Sequence, residues 1–361
     1  MVVTKDKIKI VIVALPGIGD ALLSTPAIHL LRKNYPDAQI DLLCMFHGAK
    51  DIFINNTDIN NVIYWDFLNA SRMASLRFVA SLRGKYDASI NIYPQNRREY
   101  NLISFLIGTP KRIGVRYIRK DLQNFSWLLT HKIKENDDLH CVEENIALLR
   151  FFNISDADDP PLQLSLPSEL ITWSEEWYKN QNINKETLVI GFHPGTAVFK
   201  NHVKRRWEPE KFSLLAKTLI EKHNATIMLF GGKEESELRD QINKGADNKA
   251  VMVNTNSLMQ TIALMKRCNL FVSNDSALMH VAGALQLPTV GIFGPTNETY
   301  VHPWKTNFKI VHTGIECRPC FFYSPKPLTC YRIPSEHFKC VHDISVTMVL
   351  EATEELLKSH K

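Results

Sequence analysis

Short apolar runs rich in β-branched residues alternate with longer amphipathic segments along this chain. In the amino-terminal part, the apolar runs predict strands at residues 9–15, 39–44, 61–64 and 88–93. The amphipathic segments between them predict helices at residues 21–34, 76–82 and 100–106. A continuously apolar strand followed by a helix, repeated, is typical of a parallel sheet covered on both faces, so the predicted fold class is α/β.

The pattern pauses at residues 155–168, which are rich in aspartate and proline, and then begins again. The predicted strands of the second part are residues 187–192, 225–230, 270–273 and 289–293. The predicted helices there are residues 209–223, 234–244, 257–268, 276–285 and 345–359. A chain of 361 residues with one such pause predicts two α/β domains, residues 1–167 and 168–342. We expect the remaining residues, 343–361, to form a helix that packs back toward the first domain.

Composition excludes several classes of protein. A hydrophobic fraction of 45% with 22% charged residues is typical of a globular protein and argues against extensive disorder. The net charge of +5 is mild, and with no matching recognition motif it gives no reason to expect a nucleic-acid partner. The apolar stretch at residues 8–23 is interrupted by Pro16, Gly17, Gly19 and Asp20, so we expect neither a membrane span nor a signal peptide there. Without an export signal, a reducing compartment is the default expectation.

Three segments with candidate chemistry directly follow predicted strands, where ligands bind in open α/β sheets. In the first, residues 15–21, two glycines precede Asp20 at the start of a predicted helix. The carboxylate of Asp20 either caps that helix, a common role for aspartate, or performs chemistry at the edge of the sheet. The spacing Gly-x-Gly-x-x-Leu lacks the third small residue of the dinucleotide-binding fingerprint, which argues against a nicotinamide dehydrogenase.

The second and third segments suit a phosphate group. Residues 191–196 form a glycine-containing loop followed by the cations Lys200, Lys204, Arg205 and Arg206, which is either a phosphate site or a solvated basic loop. Residues 273–280 place Asn, Asp and Ser before a helix whose amino terminus has free N–H groups. His280 lies one helical turn after Ser276, as a possible ligand contact or as an ordinary helix residue.

A fourth segment, residues 231–235, contains Gly231, Gly232, Glu234 and Glu235 after another predicted strand. A carboxylate here either holds ribose hydroxyls, as in nucleotide-binding folds, or complements the dipole of the next helix.

In combination and order, these segments resemble glycosyltransferase family 9, the heptosyltransferases that build the lipopolysaccharide core. The matching motifs are residues 17–20 with Pro26, 193–195, 204–207, 230–232, 273–280 and 293–296. The resemblance covers most of the chain, although the amino-terminal half beyond residue 34 matches only loosely, as expected if it faces a variable acceptor.

The resemblance implies a GT-B fold, in which two Rossmann-like domains face a central cleft. The first domain would bind the acceptor and the second an ADP-sugar, ADP-heptose in this family, and transfer would invert the anomeric centre with no metal or other cofactor. The family's general base falls on Asp20. The donor-binding residues that it implies are Thr196, Lys204, Arg205, Glu234, Glu235, Asp275, Ser276, Ala277 and His280.

Two of these donor positions stay ambiguous. The family's phosphate-binding lysine falls on Arg205, with Lys204 one residue earlier, so either cation could bind the diphosphate. The family's ribose-binding glutamate falls on Glu234 or Glu235.

On the acceptor side, the resemblance implies a lipid-linked anionic glycan of the lipid A and Kdo type. The first domain has a basic stretch with Arg97, Arg98, Lys111, Arg112, Arg116, Arg119 and Lys120. We expect four residues of this domain to contact the acceptor: Gly19, Arg97, Arg98 and Arg116. A solvated basic face would give the same pattern of arginines. The expected location is cytoplasmic, with peripheral contact at the inner face of the cell membrane.

Four cysteines, Cys317, Cys320, Cys330 and Cys340, share one late segment and permit either a structural zinc site or free thiols. Two other functions remain open for the whole chain. One is a GT-B transferase or an epimerase that uses another nucleotide sugar, and the other is a non-catalytic nucleotide- or glycan-binding module.

Overall fold

The computed structural model describes residues 7–119, 121–155, 158–322 and 327–359. They form two compact units, divided between Ser165 and Leu166. Each unit contains one six-stranded sheet with every strand parallel to its neighbours. No helix within the described residues is long and apolar enough to cross a membrane.

The first unit has the strand order β3-β2-β1-β4-β5-β6. Its strands are β1 (Lys9–Ala14), β2 (Gln39–Cys44), β3 (Asn61–Tyr64), β4 (Ala88–Asn91), β5 (Lys111–Arg116) and β6 (His131–Lys134). Its α-helices are α1 (Ile18–Leu22), α2 (Thr25–Asn34), α3 (His47–Phe53), α4 (Arg72–Ser81), α5 (Arg98–Ile107) and α6 (Cys141–Ala147). Short 3₁₀ helices lie at Leu122–Asn124, Ser126–Leu128 and Leu148–Phe152. The central strand β1 is buried from Ile10 onward, as its unbroken apolar run predicts.

The predicted helix at residues 21–34 is two helices, α1 and α2. Pro26 lies in the first turn of α2, where its missing N–H leaves no donor for a carbonyl of the preceding turn. The hydroxyls of Ser24 and Thr25 donate instead to the carbonyls of Ala21 and Leu22, each at 2.7 Å. The break therefore costs no unsatisfied backbone group, and Asp20 belongs to the short helix α1.

The second unit has the order β9-β8-β7-β10-β11-β12, the same as the first when its strands are counted from its own start. Its strands are β7 (Val189–His193), β8 (Thr226–Leu229), β9 (Val251–Met252), β10 (Leu270–Asn274), β11 (Thr289–Ile292) and β12 (Phe308–Val311). Its α-helices are α7 (Ser168–Asn180), α8 (Pro209–His223), α9 (Ser236–Gly245), α10 (Leu258–Met265), α11 (Ala277–Ala284), α12 (Glu298–Val301), α13 (Lys339–His342) and α14 (Val346–Lys358). Its 3₁₀ helices are Phe199–Arg205, Lys233–Glu235 and Pro334–Glu336.

The last helix, α14, differs from the expectation that it packs toward the first domain. Val349, Ala352 and Leu356 form an apolar stripe on one face of α14 and belong to the core of the second unit, together with Val290 and Ile292 of its sheet. That buried stripe makes α14 a layer of the second unit itself.

Candidate functional site

Four segments meet at the carboxyl edge of the second sheet, because the parallel strands β7, β8, β10 and β11 end there side by side. They are the loops after His193, Leu229, Asn274 and Ile292. These are the motifs that the sequence analysis placed after strands, so the fold brings them together at one edge.

His193 joins two of these loops. Its Nδ1 atom lies 2.8 Å from the hydroxyl of Ser276, and its Nε2 atom lies 3.3 Å from Oε2 of Glu235. The side chains of His193 and Glu235 are only 8% and 12% exposed, and Ser276 is half-buried. In a neutral imidazole that donates from Nε2 to the carboxylate, Nδ1 accepts from the Ser276 hydroxyl. The Ser276 hydroxyl also lies 3.1 Å from the hydroxyl of Ser273, and it does not cap the helix that follows it.

Glu235, and not Glu234, lies inside this network. Its Oε2 also accepts from the N–H of Gly232 at 3.0 Å, and its Oε1 lies 3.5 Å from a guanidinium nitrogen of Arg206. Burial alone would raise the pKa of Glu235, but the contacts with His193, Gly232 and Arg206 outweigh it and lower that pKa. Glu234, one residue earlier, is exposed.

The loop after β7 is shaped around the Glu235 carboxylate. A Cβ atom at Gly195 would lie only 1.6 Å from Oε1 of Glu235, so glycine is the residue that allows this close approach. The loop is also held by Asn274, whose amide donates to the carbonyl of Pro194 at 2.7 Å and accepts from the N–H of Trp207 at 3.1 Å. These contacts fix the backbone of the loop before any ligand arrives.

Arg205 forms a buried ion pair with Asp275, at 2.5 Å between Nη1 and Oδ2. The same nitrogen lies 3.5 Å from the hydroxyl of Thr296, and the guanidinium lies over the ring of Phe321 at 5.6 Å. The Nε atom of Arg205 is buried without a hydrogen-bond partner among the described residues. Lys204 is exposed, so the structure directs Arg205 and not Lys204 to this edge.

A second arginine, which the sequence analysis did not select as a site residue, lies next to this pair. Arg206 donates to the carbonyl of Thr196 at 2.8 Å and to its hydroxyl at 3.3 Å, in addition to its contact with Glu235. The Thr196 hydroxyl donates to the carbonyl of His202 at 2.9 Å. The basic run after the glycine-containing loop includes Arg206, but the run alone does not distinguish it from its neighbours, because its partners are ten and more residues away.

Helix α11 begins at this edge. Ser276 is its N-cap and has extended backbone angles, and Ala277 is its first residue. His280, one turn later, is buried, and its Nδ1 atom has no hydrogen-bond partner in the part of the chain that the structure describes. Burial lowers the pKa of His280 to about 4, against the opposing charge of Asp275, so its imidazole is neutral at physiological pH.

In the first unit, Asp20 follows β1 and lies in the first turn of α1, half-buried. The N-cap of α1 is Gly17, so the interpretation of Asp20 as a helix cap is wrong. Tyr100 of α5 faces the same place: burial raises its pKa to about 12, with Asp20 adding to that rise and Arg97 opposing it. Asp20 and Arg97 therefore lie within electrostatic range of one hydroxyl. Gly19, next to Asp20, is buried.

The other cations predicted for the acceptor divide into two groups. Arg98 and Arg116 are exposed and pair with Glu99 and Asp121, at 3.2 Å and 3.0 Å. Arg116 is the last residue of β5, at the same carboxyl edge of the sheet as Asp20.

Lys111 and Arg112 are at the opposite end of β5 and serve the fold. Lys111 donates to the carbonyl of Phe151, and Arg112 donates to the carbonyls of Leu128 and Thr109 at 2.8 Å and 2.6 Å. Their contacts are with the backbone of neighbouring segments, because the basic run crosses the sheet from edge to edge. Arg119 lies 3.2 Å from Asp137, and Lys120 is outside the described residues.

The comparison with family models decides the identity. The model of glycosyltransferase family 9 (heptosyltransferase) matches residues 75–331, which include every motif named above from the second unit. The chain belongs to glycosyltransferase family 9. It is an enzyme of the glycosyltransferase class, as the motifs predicted.

Relatives extend the similarity to nearly the whole chain. A lipooligosaccharide heptosyltransferase 2 of Campylobacter jejuni is 26% identical over 95% of this chain and 96% of its own length. A lipopolysaccharide heptosyltransferase 2 of Escherichia coli K12 is 28% identical over 84% of this chain and 87% of its own.

Solved structures agree on the fold. A family 9 glycosyl transferase from Veillonella parvula matches with a TM-score of 0.77, 23% identity and 97% coverage of both chains. The E. coli ADP-heptose lps heptosyltransferase II matches with a TM-score of 0.73, 22% identity and coverage of 98% of this chain and 99% of that one. The expected GT-B class, with two Rossmann-like parallel sheets, is confirmed.

The four late cysteines of this family 9 member form no disulfide among the described residues. Cys317 is exposed, Cys320 and Cys330 are half-buried and Cys340 is buried, with its pKa raised by burial to about 12. Across the described residues, which include these four, no three His, Cys, Asp or Glu side chains are grouped to hold a metal ion. Besides burial, Cys320, Cys317 and Cys330 also raise the pKa of Cys340, so the four thiols lie within electrostatic range of one another.

Proposed function

We propose that this glycosyltransferase moves a heptose from ADP-heptose to an anionic lipopolysaccharide core acceptor, inverting the anomeric centre without a metal ion. The observation that carries the proposal is the buried network at the carboxyl edge of the second sheet, where His193, Glu235 and Ser276 interlock beside the pair of Arg205 and Asp275. The names of the relatives support the heptose, and the name of the similar E. coli structure supports ADP as the carrier.

The donor's diphosphate would lie at the start of α11. The free N–H groups there, including that of Ala277, and the guanidinium of Arg205 provide positive charge in a little-exposed place, where its effect is largest. Arg205 is the better candidate of the two adjacent cations, since Lys204 is exposed.

The rest of the donor would be held by groups already fixed by the fold. Glu235 would accept hydrogen bonds from the ribose hydroxyls, because its lowered pKa keeps it ionised. The unpartnered Nδ1 of the neutral His280 would bind a hydroxyl of the sugar or an oxygen of the diphosphate. Thr196 would complete the loop that encloses the phosphates, oriented by Arg206.

Asp20 would act as the general base. A sugar hydroxyl is a poor nucleophile at neutral pH, and a carboxylate that takes its proton as the new bond forms typically accelerates such a step by about 10²–10⁴. The acceptor oxygen bonds to the anomeric carbon on the face opposite the diphosphate, its proton passes to Asp20, and the bond to the diphosphate breaks with both electrons leaving on ADP. The anomeric carbon gains oxocarbenium character, and the donor-side cation and helix terminus stabilise the charge on the leaving group.

The acceptor would be a lipid-linked glycan with acidic groups of the lipid A and Kdo type. Arg97, Arg98 and Arg116 would bind those groups, and Gly19 would contact the sugar beside Asp20. A lipid-linked acceptor implies that the enzyme works at the cytoplasmic face of the membrane. No nucleic-acid partner is proposed.

A transfer assay tests the proposal. The purified enzyme would be incubated with ADP-heptose and a panel of lipopolysaccharides truncated within the inner core, and the products weighed by mass spectrometry. We expect one acceptor to gain a single heptose in step with ADP release, with the same rate in excess EDTA and inverted configuration by NMR. Transfer from UDP-sugars alone, or ADP binding with no transfer to any acceptor, would contradict the proposal.

A further inference from the structure

One segment of the first unit combines unusual charge with unusual exposure. Residues 97–134 contain nine Lys and Arg against two Asp and Glu, a net charge of +7, whereas the whole chain carries +5. The same segment holds five of the fourteen large apolar side chains that are exposed in the described part of the chain. The proposed acceptor contacts and the packing of the sheet account for several of these cations, but not for the exposed apolar side chains beside them.

Four of these five exposed apolar residues lie on elements that pack against one another. Leu102 and Phe105 lie one turn apart on the outer face of α5. The 3₁₀ helices Leu122–Asn124 and Ser126–Leu128 pack against α5, held by a hydrogen bond of 2.8 Å from the amide of Asn101 to the carbonyl of Asn124. They carry Leu122, which is 81% exposed, and Trp127, which is 62% exposed.

Phe125 separates the two short helices and contacts the exposed tryptophan. Phe125, which separates them, has a φ of 57°, in the left-handed region that bulky residues rarely adopt. Its ring contacts that of Trp127, with 5.8 Å between ring centroids.

Cations surround this apolar surface. Arg98 and Arg116 are both more than half exposed, and the exposed Lys132 lies 3.4 Å from the carbonyl of Ser126. We call the following seven residues the amphipathic patch: Leu102, Phe105, Leu122 and Trp127 with Arg98, Arg116 and Lys132.

We propose that the amphipathic patch binds the surface of an anionic phospholipid leaflet. Apolar side chains that enter the boundary between headgroups and acyl chains, next to cations that meet negative headgroups, are the combination that holds proteins at such a surface. Tryptophan in particular favours that boundary. A second copy of the chain fits poorly, because a symmetric pairing of two such patches would bring two net charges of +7 together.

The inference rests on the proposed function, in which the acceptor is lipid-linked. Binding of the amphipathic patch to a leaflet does not require sugar transfer, so it can be measured separately. The patch begins beside Arg97, which shares the surroundings of Tyr100 with Asp20, so a leaflet bound there would present its lipids next to the proposed base. The membrane would thus act on the acceptor KM and leave the chemical step unchanged.

Vesicle binding tests the inference without any acceptor. The full-length enzyme would be sedimented with vesicles of phosphatidylglycerol and phosphatidylethanolamine, and with vesicles of phosphatidylcholine alone. We expect binding to the anionic vesicles only, weakened at about 1 M salt, where the Debye length falls to about 3 Å. The double variant Leu122→Ser/Trp127→Ser should bind at least about tenfold more weakly. The matched control is Leu214→Ser on α8, which is 53% exposed and should bind like the parent enzyme.

A second measurement identifies the contact itself. Quenching of tryptophan fluorescence by brominated anionic lipids should be strong in the parent enzyme and largely lost in Trp127→Phe, which should still bind the vesicles. Equal binding by the double variant and the parent, no binding to anionic vesicles, or self-association that the double variant abolishes would each overturn the inference. Transfer to a delipidated acceptor glycan, expected to be normal in the double variant, reports separately on the proposed function.

Discussion

The two units share one strand order, yet the carboxyl edges of their sheets are built differently. At the second edge, charged groups pair with one another in buried places, as Arg205 does with Asp275 and Glu235 with His193. At the first edge, the cations that pair, Arg98 and Arg116, remain largely exposed. The same fold therefore has one edge whose charged side chains are held in buried pairs and one edge whose charged side chains are exposed and free to change conformation.

The difference matches the two kinds of ligand in the proposed reaction. A nucleotide diphosphate is the same molecule in every turnover, so rigid and desolvated partners bind it without reorganising. A branched, lipid-linked glycan varies, and exposed arginines on long side chains adapt to it at little cost in stability. The comparison predicts that substitutions at the two edges will separate into different kinds of effect.

The largest expected effect is on turnover, at the first edge. Asp20→Asn keeps the size of the side chain but removes the base, so kcat should fall by about 10²–10⁴. The Kd for ADP-heptose should not change, because Asp20 belongs to the unit that does not bind the donor in this proposal. Asp66→Asn is the control, because Asp66 is a half-buried aspartate of the same unit that accepts from the N–H groups of Leu68 and Asn69, and the variant should keep normal kcat. A variant of Asp20 with near-normal kcat would remove this residue from the mechanism.

The next largest effect compares two arginine–aspartate pairs. Arg205 and Asp275 have 11% and 8% of their side chains exposed, whereas Arg116 and Asp121 have 62% and 22%. Removing one member of a buried pair leaves the other charge uncompensated, so Arg205→Gln should reduce the free energy of unfolding by about 3 kcal/mol. The matched change Arg116→Gln should cost less than about 1 kcal/mol.

Urea denaturation of both variants gives these values, provided that the slopes with denaturant are equal. Similar losses in the two variants would show that the edges do not differ in the way proposed here.

Sequence patterns were sufficient for the elements with a simple apolar period. The predicted strands at residues 39–44 and 61–64 and the helix at 209–223 have the bounds found in the structure. The strands β5 and β6 were missed, because each alternates lysine, arginine or histidine with few apolar residues and so lacks the continuous run of a buried strand.

The same limit applies to the candidate site. That its motifs lie at one edge follows from their positions after parallel strands, and this was predictable. The sequence could not predict which of two neighbouring residues enters the site. Glu235 enters it because it contacts His193, which is 42 positions away in the chain. Arg205, and not Lys204, enters the site because it pairs with Asp275, which is 70 positions away. Such choices depend on tertiary contacts that no local pattern contains.

A pH-dependent effect on stability should come from the second unit. His280 has its pKa lowered by burial to about 4, below the usual 6.5 that it regains on unfolding. A group with a lowered pKa binds fewer protons when folded, so its contribution is full above pH 6.5 and is lost as the pH falls toward 4. Between about pH 7 and pH 5, His280 should reduce the free energy of unfolding by about 2 kcal/mol.

The quantity to measure is the change in the free energy of unfolding with pH, and not its value at one pH. His280→Gln should flatten the slope, whatever it does to stability at neutral pH. His202, whose pKa burial likewise lowers to about 4, would supply part of the slope that remains, together with His131 and His312, whose pKa values burial also lowers. His131 of the first unit is half-buried, and its pKa is lowered by burial and by Lys111 to a smaller extent, so His131→Gln should flatten the slope less than His280→Gln does. An identical slope in the parent and in His280→Gln would show that His280 is not held neutral.

The smallest effect distinguishes neighbouring carboxylates in the donor site. Glu235→Gln should weaken ADP binding about tenfold, the usual loss for one hydrogen bond to a charged group, whereas Glu234→Gln should change it less than about twofold. A weaker Kd alone would not show contact with the ribose, because Glu235 also holds His193 and the loop at Gly232.

The test of contact is calorimetry with ADP that lacks a ribose hydroxyl. If Glu235 binds that hydroxyl, the parent enzyme loses affinity for the deoxy ligand while Glu235→Gln loses little more, since the partner is already gone. If the carboxylate acts only by positioning His193, both enzymes lose the same factor. Equal losses of affinity in the two enzymes would mean that Glu235 only holds the loops of this edge in place and that another residue binds the ribose.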